Sequence, residues 1–252
     1  MRFRFQSKNL FTKNFANREA GHYRSHRRGK NQQVIPFDVQ EKLGQANVLY
    51  AQYSKHEEAL SILKEVRDKH PELAEPVITM ASIYEDLGDI RQCFRYSKMA
   101  AKIQKTNVDR WLSCASLAKE LRLWDHAIYC LNRAFKQSSK RDVEFFMSIK
   151  YAKLEIYKIK NDNASAVRML LKLIKRFSKD EARHLELTVT LAETFSDQGL
   201  PAKSLELLDS LISRHLLLHP SNPGPSLLEL LLVLANICLK SKDAAATFKA
   251  YL

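Results

Sequence analysis

From Gln40 onward the chain repeats itself every 34 residues: three copies, beginning at Gln40, Ala74 and Val108, align without a gap. Counted from those starts, position 4 holds Leu43, Val77 and Trp111, and position 8 holds Asn47, Ala81 and Ala115. Position 20 holds Ala59, Cys93 and Ala127, and position 27 holds Val66, Ala100 and Ala134. A helix-turn-helix unit this short cannot bury its apolar face alone, so each copy must stack on the next. Composition points the same way, because 6 Gly and 7 Pro in 252 residues are too few for the turns of a β-sandwich or an α/β enzyme. The fold class expected is all-α.

The side-chain sizes identify the pattern as tetratricopeptide. Small residues at positions 8 and 20 lie where the two helices of a repeat cross, and a larger side chain there would push the backbones apart. Ala59, Ala81, Cys93, Ala115 and Ala127 are read as these packing residues, with Trp111 as a large filler between neighbouring helices. Tyr50 and Tyr84 share position 11. Leu87-Gly88-Asp89 supplies the break between helices, with Gly88 suited to a left-handed turn and Asp89 to the following cap.

The organisation expected is a helical solenoid of 5–6 repeats: a basic, flexible arm over 1–36, three regular repeats over 37–141 and two divergent ones over 142–219. A Pro-rich linker over 220–226, whose prolines oppose a helix, then leads into an incomplete sixth repeat over 227–252. The fourth copy, around Met147, fits with five residues inserted before it; the fifth runs from Leu185, with Gly199 at position 15, and the sixth puts Ala235 at position 8. A solenoid usually closes on a polar capping helix, and none is expected from the sequence, so the chain reads as a fragment, a truncated reading frame or one piece of a longer array.

Charge is distributed unevenly. Lys and Arg number 41 against 28 Asp and Glu, a net +13. Residues 1–33 carry nine cations and one acid, Glu19, so +8 of that total sits in the arm. There Phe3, Phe5, Phe11, Phe15 and Tyr23 alternate with cations ahead of Arg24, Arg27, Arg28 and Lys30. Such a segment can contact phosphates and stack on bases, direct nuclear import, act as a mitochondrial presequence, or remain a solvated arm.

Catalytic patterns are absent: there is no GxGxxG, no GxxxxGK[ST] and no HExxH, and no enzyme, cofactor or small-molecule substrate is expected. The pairs His126 and Cys130, and His215 and His219, lack the further ligands of a zinc site. Cys93, Cys114, Cys130 and Cys238 have no CxxC spacing, which fits reduced thiols. Leu227–Leu239 is too short to span a membrane.

The concave groove of such an array is lined by positions 2, 5, 9, 12 and 13 of each first helix. Position 2 is acidic throughout, Glu41, Glu75 and Asp109, and Glu85 and Asp86 extend the strip at positions 12 and 13 of the second copy. The strip can receive a basic partner segment, or its acids simply complement helix dipoles. The residues at the positions that clamp a peptide carboxylate in chaperone-binding arrays, Gly44, Val48, Thr79, Asp109 and Ser113, cannot form such a clamp. Gly44, Val48, Ile78 and Leu112 are poor base readers, which weighs against a direct RNA-binding repeat protein.

Over residues 36–140 the wording narrows further. Leu43-Gly44-Gln45-Ala46-Asn47 with Tyr50, Met80-Ala81-Ser82-Ile83-Tyr84-Glu85-Asp86-Leu87-Gly88-Asp89, Ala100-Ala101 before Trp111, and Ala127-Ile128-Tyr129-Cys130 with Arg133-Ala134 resemble the amino-terminal array of the tetratricopeptide subunit of general transcription factor IIIC. The resemblance implies a nuclear, non-enzymatic scaffold in RNA polymerase III transcription. Its partners would be other factor IIIC subunits and factor IIIB components, with weak or indirect DNA contact. The other scaffold reading is a generic array in another nuclear or RNA-processing complex.

Overall fold

The structure, a computed structural model, describes residues 35–138, 142–218 and 224–240. These form α1 (Phe37–Ala51), α2 (His56–Lys69), α3 (Glu75–Asp86), α4 (Ile90–Ile103), α5 (Val108–Glu120), α6 (Trp124–Gln137), α7 (Val143–Ile159), α8 (Asn163–Arg176), α9 (Glu181–Asp197), α10 (Pro201–Leu218) and α11 (Gly224–Lys240). No strand occurs among the described residues. The fold is all-α and of tetratricopeptide type, with five helix hairpins followed by α11. The basic arm, Arg24, Arg27, Arg28 and Lys30 included, and residues 241–252 lie outside the described residues.

One backbone device sets the hairpins. Ser54, Gly88, Arg122, Asn161 and Gly199, all at position 15 once the later insertions are counted, have φ between 51° and 72°. In four of the five, the next residue donates its N–H to a carbonyl five residues back: Asp89 to Tyr84, Leu123 to Ala118, Asp162 to Tyr157 and Leu200 to Phe195, at 2.8–3.0 Å. This bonding satisfies the last carbonyls of the first helix while the left-handed residue reverses the chain. Asp89 and Asp162 then cap the second helix through Gln92 N–H (3.0 Å) and Ser165 N–H (3.1 Å).

The two helices meet at position 20, where Ala59, Cys93, Ala127, Ala166 and Ser204 are all at most 2% exposed. Ser204 shows what the close approach demands, since its buried hydroxyl must find a partner and donates to the carbonyl of Ala192, at position 8 of the same repeat, at 2.6 Å. Ala81, Ala115 and Trp111 are buried as well. Trp111 donates its indole N–H to the Lys105 carbonyl at 3.0 Å, which removes the cost of hiding that polar group.

The chain divides into two compact units, 1–153 and 154–252. In the first, Val39, Leu43 and Ala46 of α1 pack with Leu60, Leu63 and Val66 of α2 and with Val77, Met80 and Ile83 of α3. In the second, Ala192 of α9 joins Leu205, Leu208 and Leu211 of α10 and Leu230, Leu234 and Ile237 of α11.

Several boundaries and packing assignments differ from the sequence reading. The division between units falls inside α7. Gly224 and Pro225, placed in the linker, open α11; proline is tolerated in a helix's first turn, whose N–H groups have no acceptor within the helix. Asn47 is exposed at position 8, and Ala46 beside it is buried instead. The Asn47 amide oxygen lies 3.5 Å from the Thr79 hydroxyl, so a polar group there keeps a polar neighbour. Ala235, at position 8 of the sixth copy, is also exposed.

Only conformational cost is at stake at Gly88, where a Cβ would meet nothing within 4 Å. Gly88→Ala should therefore destabilise the first unit by about 1–2 kcal/mol, and Arg122→Gly should stabilise it by up to about 1 kcal/mol. Ala127→Leu should cost about 1–3 kcal/mol by overpacking the crossing. Urea unfolding followed by circular dichroism measures all three.

Candidate functional site: the first-helix face of the amino-terminal unit

Glu41, Glu75, Glu85, Asp86 and Asp109 are all exposed, on α1, α3 and α5. The structure separates them into two kinds. Asp86 is engaged: it accepts the Tyr50 hydroxyl at 2.5 Å, a bond from the end of α1 to the end of α3 that braces the first repeat against the second. This bond, with burial and the nearby charges of Asp86 and Glu85, pushes the Tyr50 pKa up to about 12. The other four have no carboxylate–cation contact within salt-bridge distance among the described residues.

Acids on the neighbouring α2 behave differently. Glu65 sits between Lys42 (2.6 Å) and Lys69 (2.8 Å), which bring its pKa down to about 2. Glu58 pairs with Lys55 at 2.9 Å and Asp68 with Arg67 at 2.6 Å. The first-helix face thus keeps its negative charge unneutralised, while the adjoining α2 surface is largely neutralised from within. Arg110 is half-buried on α5, and burial lowers its pKa although the Glu75 charge favours its protonated form. The Arg110 guanidinium is directed to the Gln104 side chain at 2.5 Å.

The floor between the acids is small and polar, with Thr79 and Ser82 half-buried and Gly44, Ser113 and Ser116 exposed. Val48 is exposed and Ile78 half-buried, but Leu112 is only 4% exposed and belongs to the core, not to the groove surface where position 5 placed it. Two contributors escaped the sequence reading. Glu120 is exposed at position 13 of the third copy, the counterpart of Asp86, and its repeat position alone could have found it. Tyr50 shares position 11 with Tyr84, and nothing in the spacing distinguishes its hydroxyl from that of Tyr84, whose ring instead stacks on Tyr96 at 5.3 Å.

The thiols of this unit are structural. Cys93, Cys114 and Cys130 are all buried; the hydrogen bond between the Cys114 and Cys130 thiols, helped by burial, pushes the Cys114 pKa up, and the same bond brings that of Cys130 down, so the two thiols act as one buried hydrogen-bonded pair. His126, four residues before Cys130, is exposed with its ring 5.9 Å from Phe94, so the two do not converge on a ligand. Among the described residues no group of three or more His, Cys, Asp or Glu side chains could hold a metal ion, and no helix is long and apolar enough to cross a membrane.

Comparison with known proteins gives two curated relatives. Over 182 residues the chain is 23% identical to human general transcription factor 3C polypeptide 3, a match covering 72% of this chain and 20% of that protein. Over 118 residues it is 27% identical to transcription factor tau subunit sfc4 of Schizosaccharomyces pombe, covering 45% of this chain and 12% of that one. The chain thus spans a fifth or less of the length of either, and it is similar to tetratricopeptide subunits of transcription factor IIIC. No family model matches. Among solved structures, Naa15/Naa10 bound to HypK-THB aligns with TM-score 0.46 at 17% identity, over 82% of this chain and 30% of that one. A thermophilic tetratricopeptide protein of Thermus thermophilus aligns with TM-score 0.36 at 15% identity, over 80% and 99%.

The Tyr50–Asp86 brace has a defined pH response. Because the folded pKa is raised above the ordinary tyrosine value of 10, its contribution is complete below pH 10 and is lost as pH rises through about 12. Phenolate absorbance should show one tyrosine titrating near 12 in the native chain, and Asp86→Asn should return it toward 10. Tyr50→Phe should cost only about 0.5–1 kcal/mol, since the bond is solvent-accessible.

Proposed function

We propose that the chain is a non-enzymatic scaffold of the transcription factor IIIC assembly, holding components of the RNA polymerase III initiation machinery through its repeats. The observation that carries this reading is the alignment of 72% of the chain with a subunit of general transcription factor 3C. The first-helix face supports it physically. Glu41, Glu75 and Asp109 recur at one repeat position, unpaired, and a basic segment of a partner laid along α1, α3 and α5 would meet them in succession. Electrostatic complementarity of this kind sets partner choice and association rate more than total affinity.

On this reading the partners are other factor IIIC subunits and factor IIIB components, and the protein works in the nucleus. Arg24, Arg27, Arg28 and Lys30 of the arm serve import or an auxiliary contact with nucleic acid.

Affinity purification of the chain from nuclear extract, with identification of co-purifying subunits, tests the proposal. Recovery of factor IIIC or factor IIIB subunits is expected, and recovery of a chaperone or ribosomal set in their place overturns it. Glu41→Gln, Glu75→Gln and Asp109→Asn together should lower that recovery at least about fivefold, which corresponds to about 1 kcal/mol.

A further inference from the structure

The +5 carried outside the arm is concentrated on particular helices. Helix α4 holds Arg91, Arg95, Lys98 and Lys102 and no acid. Their spacing of four, three and four residues keeps all four on one stripe of the helix, about 16 Å long at 1.5 Å per residue. The opposite side is core: Cys93, Tyr96, Ala100 and Ala101 are buried. Arg91, Arg95 and Lys102 are exposed and Lys98 half-buried, and none of the four pairs with a carboxylate among the described residues. On the adjacent helix Glu65 and Asp68 are held by Lys42, Lys69 and Arg67, and Glu58 by Lys55, which leaves Glu57, at the repeat position of Arg91, as its one exposed carboxylate without an ion pair among the described residues.

Two of the cations are steadied from below. The Arg95 guanidinium lies 6.0 Å from the Tyr96 ring centroid and the Lys98 ammonium 5.6 Å from that of Phe94. These contacts of charged groups with buried rings reduce the freedom that a ligand would have to freeze out.

From this row we infer that the outer face of α4 is a docking surface for the phosphate backbone of duplex DNA. Phosphates recur regularly along each strand of a duplex, so a row of cations of this length can meet several of them in succession. An acidic protein segment fits less well. Protein interfaces draw their energy from large apolar or aromatic anchors in a desolvated centre, and α4 contributes no exposed large hydrophobic side chain. A phosphate ladder needs no such anchor, because binding is driven by counterion release. The choice of DNA rests on the reading of the protein as part of a gene-bound assembly. The opposed charges of the two faces let one unit contact DNA through α4 while α1, α3 and α5 hold a basic protein segment.

The test uses the whole chain and a fluorescent mixed-sequence DNA duplex, with anisotropy measured across a series of salt concentrations. Replacing Arg91, Arg95, Lys98 and Lys102 together by Gln should weaken binding roughly tenfold or more and flatten the slope of log K against log salt by about 2–4. A control variant with Lys42, Lys55, Arg67 and Lys69 replaced by Gln loses the same charge from the ion-paired surface and should change the slope by less than about 1. The inference is overturned if the α4 variant keeps the native slope, if the control flattens it equally, or if polyglutamate binds through the four cations as tightly as the duplex. Should the quadruple variant not fold, the exposed single reversals Arg91→Glu and Lys102→Glu carry the same reading, each expected to flatten the slope by about 1. Because the measurement uses purified chain, its failure leaves the co-purification result standing, and the reverse also holds.

Discussion

Everything in this molecule follows from two helices being allowed to touch at a small side chain. Where Ala59, Cys93, Ala127, Ala166 and Ser204 sit, the partner backbone comes close enough that even a serine must bury its hydroxyl against a main-chain carbonyl. Close approach fixes the crossing of each hairpin, and the left-handed residue at position 15 fixes how the chain enters it. With both settled, the large side chains have one place to go. Leu63, Met80 and Trp111 fill the spaces between helices, and the remaining faces are left to solvent and ligands.

Those remaining faces differ in how their charges are balanced. Glu65, between two lysines, is a closed account, whereas Glu41, Glu75, Glu85 and Asp109 on one side and the four cations of α4 on another are not compensated within the first unit. Keeping like charges close without partners costs stability that neutral side chains would not cost, so these stripes are better explained by what they meet than by the fold they sit on. Electrostatics of this range is felt within about 8–10 Å at ordinary salt, close to the scale on which the two stripes must act separately.

How much could be read in advance depended on the kind of information. Repeat length, helix order and the small residues at position 20 were readable because packing forces side-chain size at fixed spacing, and Gly88 and Gly199 announced their turns because glycine is the residue that enters the left-handed region freely. Ser54, Arg122 and Asn161 adopt the same conformation without announcing it, since the surrounding helices impose it on whatever residue is there. At the groove, spacing placed Glu41, Glu75 and Asp109 on one helical position but could not show which acids are engaged. Tyr50 reaching Asp86 is a contact across 36 residues that depends on how one repeat leans on the next. Leu112 failed as a groove residue for a related reason: position 5 lies at the edge of the face, where a large apolar side chain can be taken into the core.

The invariant turn also says where this architecture can change. α7, α9 and α10, at 17, 17 and 18 residues, are longer than the 12–15 of the regular hairpins, yet each still meets its hairpin partner around the same left-handed corner. Length has been added at the ends remote from the corner. A hairpin of this type therefore behaves as a fixed joint with extensible limbs: its surfaces can be lengthened to reach a new neighbour without disturbing the angle on which its own stability depends.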